Sequence, residues 1–84
     1  MKRIAIISTD RDATIYFKLW IGRNIPNGLI TAQTYNLCKT QRAEYRLVRS
    51  MADCAGVKFD GYFVVGDYDD AAQDLEKYIH NRLG

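Results

Sequence analysis

A chain of 84 residues, 48% apolar and 26% charged, can bury one modest core and is too apolar for a disordered polymer. Its net charge of +2 is too small to mark a nucleic-acid binder by total alone, so only the placement of charge is informative. No stretch approaches the roughly 20 consecutive apolar residues of a membrane span, and the short run Ile4-Ala5-Ile6-Ile7-Ser8 after Met1-Lys2-Arg3 falls far short of a secretory leader. A single domain over 1–84 in a cytoplasmic setting is therefore the expectation.

Residues 2–8 form a β-branched run that predicts a buried strand, followed by a turn at Thr9-Asp10-Arg11-Asp12. Residues 13–22 alternate, with Ile15, Phe17, Leu19 and Ile21 on one face and Thr14, Tyr16, Lys18 and Trp20 on the other. This pattern predicts a second strand, in a hairpin with the first. The competing reading is a short helix capped by Ser8, Thr9 or Asp10, which would leave the first strand parallel to the last. Asn24-Ile25-Pro26-Asn27-Gly28 is a loop carrying the only proline and an Asn-Gly turn pair.

A long helix is then expected from an N-cap at Thr31 to about Ala55, stopped by Gly56. Leu37, Leu47, Val48, Met51, Cys54 and Ala55 would form its apolar face. Glu44 falls inside that apolar arc. It would have to be buried beside a cation or reach the rim, unless the helix breaks near Lys39-Thr40. In such a helix Cys38 and Cys54 would stand about 24 Å apart, too far for a disulfide, so both read as reduced, buried thiols.

Gly61 to Gly66 predicts a further strand, and Asp67-Tyr68-Asp69-Asp70 leads into a terminal helix. Asp70 and Gln73 have capping-box spacing there, and Ala72, Leu75, Tyr78, Ile79 and Leu83 mark the buried face. The expected architecture is a two-layer α+β domain, β-β-α-β-α, with a three-stranded sheet and both helices on one face. The alternative is β-α-α-β-α with parallel first and last strands.

Lys39, Arg42, Arg46 and Arg49, spaced three, four and three apart, would stack as one cationic stripe on the long helix. Such a ridge suits a phosphate backbone or an acidic protein surface. Tyr16, Lys18 and Trp20 would give a ring-cation-ring pattern on a strand, a secondary surface on which unpaired bases could stack. These features point to a small non-enzymatic binding protein that engages nucleic acid or a nucleoprotein complex. A protein-directed inhibitor or adaptor of the phage type, binding an acidic protein surface, is the alternative; the opposed patches, the basic helix and the acidic segment from Asp67 to Glu76, equally suit a self-associating homodimer.

Asp10 and Asp12 after the first strand, and Asp67, Asp69 and Asp70 after the last, would converge only if those strands are parallel neighbours. Grouped there they could hold Mg²⁺ for phosphoryl chemistry, although aspartates at such junctions are ordinarily caps and turn formers. One histidine, His80, and no CxxC exclude a structural zinc site, and no cofactor is expected.

Overall fold

Residues 1–83 are described by the computed structural model, in which the opening β-branched run is a central strand of a mixed five-stranded sheet. That strand, β1 (Lys2–Ile7), lies parallel to β4 (Ala43–Val48) on one side and to β5 (Gly61–Val64) on the other. Beyond β4, the antiparallel strands β3 (Leu37–Thr40) and β2 (Ile30–Gln33) complete the order β2-β3-β4-β1-β5. The helices are α1 (Ala13–Asn24), the single turn α2 (Met51–Cys54) and α3 (Asp70–His80).

A parallel strand covered on both faces needs apolar residues at successive positions, and Ala5, Ile6 and Ile7 are fully buried. Ile6 turns towards α1 and packs with Ala13, Phe17, Ile21, Cys38 and Leu47. Ala5 and Ile7 turn the other way, into a second cluster with Val48, Cys54, Phe59, Leu75 and Ile79. The sheet thus carries α1 on one face and α2 and α3 on the other. The two-layer arrangement with three strands is replaced by helices on both faces of five strands. The parallel pairing of the first and last strands, expected in the alternative reading, is present.

Two expected elements differ. Residues 13–22 alternate, but Ala13, Phe17 and Ile21 also recur every fourth residue, and it is this helical set that is buried. Ile15 and Leu19 remain exposed at 56% and 49%. The predicted long helix is instead β2, β3, β4 and α2. Glu44 in the apolar arc was the sign of misfit: on β4 the two-residue period sends Tyr45 and Leu47 towards α1, while Glu44 and Val48 face the opposite side. Thr40 builds the β3–β4 turn, its hydroxyl accepting from the amides of Arg42 and Ala43.

The expected stop at Gly56 holds, with φ at +76° just beyond α2. At α3 the N-cap is Asp69, one residue before the expected Asp70, and its carboxylate accepts from Ala72 N–H at 2.8 Å. Leu83 lies beyond α3 and is exposed. Both cysteines are free, buried thiols whose pKa values are raised by desolvation. They are kept apart by the sheet, since Cys38 belongs to the α1 cluster and Cys54 to the opposite one.

Candidate binding surface

The cations expected on one helical stripe are distributed over two strands and their ends. Lys39 is on β3 and Arg46 on β4, whereas Arg42 sits in the β3–β4 turn and Arg49 just past the far end of β4. Two of the four stay together. Lys39 is the register partner of Glu44, and its Nζ lies 3.9 Å from a carboxylate oxygen of Glu44. Arg46 is two residues along the same strand and reaches the other carboxylate oxygen at 3.4 Å.

Arg3 joins this group, being the β1 register partner of Glu44. Side chains paired across a ladder share a face, so Arg3, Glu44 and Lys39 form a row, with Arg46 in the next row beside Leu37 and Ala5. Glu44 is only 8% exposed while Lys39 and Arg46 keep substantial exposure above it. Two cations pair with one carboxylate and Arg3 stands beside it in the ladder, so cations outnumber the carboxylate in this part of the sheet face. Arg3 was missed in sequence because it reads as a leader residue; its odd-numbered parity with Ala5 and Ile7 is the signal that assigns its face.

Arg42 borders a groove of about 700 Å³ with Leu29, Pro26 and Tyr45, near the loop after α1. Arg49 borders a different one, of about 430 Å³, with Thr9, Tyr35, Asn36, Ser50 and Asp53. Its backbone amide donates to Asp53 at 2.9 Å. Arg42 therefore lies apart from the surface around Glu44, whereas the Arg49 groove shares Asn36, Leu47 and Asp53 with the one that Arg46 borders.

The aromatic pattern also changes with the element that carries it. On a helix Tyr16 and Trp20 are one turn apart on one side, and Lys18 points elsewhere, towards Gln33 and Thr34. Trp20 is partly buried, its ring 5.7 Å from Tyr45 and 5.1 Å from Phe63. These rings lie on the α1 face, across the sheet from Arg3, Lys39 and Arg46. No combined stacking and phosphate surface is formed from them.

The aspartates behave as the parallel arrangement requires. Asp10 and Asp67 meet across the carboxyl edge of β1 and β5, where a hydrogen bond between their carboxyl groups requires a proton on one of them. That contact, followed by the repulsion of the Asp10 charge, raises the pKa of Asp67 above the ordinary carboxylate range. Asp69 is engaged otherwise: the Ala72 amide and then the Thr9 hydroxyl, at 2.8 Å, lower its pKa. The Asp12 amide donates to Asp10, a local turn contact. Among the described residues no three His, Cys, Asp or Glu side chains are grouped to hold a metal ion. His80 ends α3, with its Nδ1 3.2 Å from the Tyr62 hydroxyl.

A carboxyl group with a raised folded pKa contributes stability below its unfolded pKa and loses it as pH rises through the folded value. At neutral pH the Asp10–Asp67 contact is therefore a repulsion. Asp67→Asn should raise the melting temperature at pH 7, and the gain should vanish near pH 3, below the usual aspartate pKa. Because Asp67 is fully solvent-exposed, added salt should shrink the gain. A variant that melts with or below the parent at pH 7 would show that the two carboxylates do not oppose each other.

No protein-family model, no characterised protein and no solved structure matches this chain. Among the described residues no helix is long and apolar enough to cross a membrane. The protein is a small α+β domain with a mixed five-stranded sheet, and the sheet face around Glu44 is its candidate binding surface.

Proposed function

We propose that this protein is a non-enzymatic binding module that receives the phosphate backbone of a nucleic acid on the sheet face bearing Arg3, Lys39 and Arg46. The observation that carries this reading is the pairing of Lys39 and Arg46 with a single, nearly buried carboxylate, Glu44, whose register partner on β1 is Arg3. Glu44 restrains Lys39 and Arg46 so that both stand on the surface in a defined geometry. A cation held in place loses less side-chain freedom on binding than a free one. The aromatic side chains lie on the opposite face, so contact is with phosphates and not with stacked bases. Binding should accordingly depend steeply on salt and little on base sequence.

Fluorescence anisotropy with labelled duplex DNA, single-stranded DNA and RNA, at low and at moderate salt, tests this. Lys39→Gln with Arg46→Gln should weaken binding to every oligonucleotide that the parent binds. The slope of log affinity against log salt should fall by about 1.8 on duplex DNA or about 1.4 on a single strand, the share of two lost phosphate contacts. Unchanged affinity in the double variant removes this face from the function. Failure of the parent to bind any of the three favours the inhibitor or adaptor reading, in which the same cations meet an acidic protein surface.

A further inference from the structure

Both edges of an open sheet expose unpaired amide groups, and proteins usually blunt such edges with charge, proline or a bulge. The β2 edge has an irregularity between Ile30 and Ala32. The β5 edge has no such protection: Gly61-Tyr62-Phe63-Val64 carries no charge and no proline. Phe63 is 51% exposed beside Trp20.

The backbone bonds define which groups face outwards. Lys2 and Ser8 donate to carbonyls flanking and ending β4, so the even-numbered residues of β1 turn to β4 and the odd-numbered ones turn to β5. Val65 N–H donates to Ile7, which places the odd-numbered residues of β5 on the β1 side. Tyr62 and Val64 therefore present their N–H and C=O groups to the open edge.

We infer that β5 pairs antiparallel with β5 of a second copy, about a two-fold axis through Phe63. This register sets Tyr62 opposite Val64 of the second copy, and it satisfies every outward amide group of both residues in both copies. Sliding by two residues leaves some of them unpaired, and sliding by one turns one sheet over relative to the other. Phe63 then faces its own equivalent as a closely spaced, non-hydrogen-bonded pair, on the side where Trp20 already leans against it.

The edge suits a second copy because it is self-complementary. The register is symmetric about the exposed Phe63, with the outward backbone groups of Tyr62 and Val64 on either side of it, so one strand supplies both halves of the pairing. The Asp60 carboxylate is turned inwards to β1, where it accepts from the Arg3 amide at 2.8 Å. A two-fold axis normal to the sheet also keeps the two basic faces on the same side.

Sedimentation equilibrium should give twice the 9.7 kDa chain mass for the parent protein at high concentration. Phe63→Cys should cross-link spontaneously between copies on oxidation, because a directly opposed pair meets disulfide geometry. Val64→Cys, whose opposite number is Tyr62, should not. Phe63→Lys should give the single-chain mass with an unchanged circular dichroism spectrum. A parent that stays at 9.7 kDa at millimolar concentration overturns the inference, as would an edge reserved for a strand of some other protein. Equal cross-linking at positions 63 and 64 overturns the register, and that contrast needs no folded Phe63→Lys variant.

Discussion

Phe17→Ala should remove about 3–5 kcal/mol of stability, the usual result of emptying a buried phenylalanine site. Phe17 is 1% exposed and sits among Ile6, Ala13, Ile21, Cys38 and Leu47, between α1 and the sheet. A domain this small starts near the low end of the ordinary range of about 5–15 kcal/mol. The melting temperature should fall by at least about 12 °C, taking about 4 °C per kcal/mol as the lower bound for this size. Thermal denaturation followed by circular dichroism measures it. Ile15→Ala is the informative partner, because Ile15 is 56% exposed on the outer side of α1. It should change stability by no more than about 0.5 kcal/mol. A strand through this segment would bury Ile15 and Phe17 alike, so similar losses from both variants would refute the helix.

Gly66→Ala should be the most disruptive change at the carboxyl edge. Gly66 has φ at +78°, where a residue with a Cβ costs roughly 1–2 kcal/mol more than glycine. The added methyl would also lie 3.3 Å from Tyr16 Cδ2, and 3.4 Å from both Asp10 Cβ and Ser8 Oγ. The Ser8 hydroxyl is fully buried and has no hydrogen-bond partner among the described residues, so the new methyl would crowd a buried polar atom. Gly56→Ala supplies the control, since Gly56 has φ at +76° but open space around the new methyl. Gly66→Ala should therefore melt lower than Gly56→Ala. Equal melting temperatures would show that the half-exposed Tyr16 ring swings aside and that crowding contributes nothing.

Several elements were legible because their signals were local. The β1 run, the β5 run, the Gly56 stop and the start of α3 within one residue each follow from composition over a few neighbours. The segment 13–22 was ambiguous in itself. Its period-2 and period-4 apolar sets share Phe17 and Ile21, and the sheet surface they pack on selects between them. The segment 31–55 was misread because its cations happen to recur at helical spacing, while the discordant Glu44 carried the better information. The candidate site was half legible. Lys39 and Arg46 share one side in both readings, two turns apart on a helix or diagonally placed across the β3–β4 pair, whereas Arg42 adjoins them only on a helix.

What the sequence determined by itself was the presence of a core, a β-rich start, a capped terminal helix and a surplus of cations in the middle third. These depend on contacts between residues close in the chain. Only the tertiary structure decided that β1 lies between β4 and β5, that Asp10 meets Asp67, and that Arg3 joins Lys39 and Arg46 around Glu44. Each of these joins residues far apart in sequence. Strand order and register are set by burying two faces of one sheet at once, a condition that no local window contains.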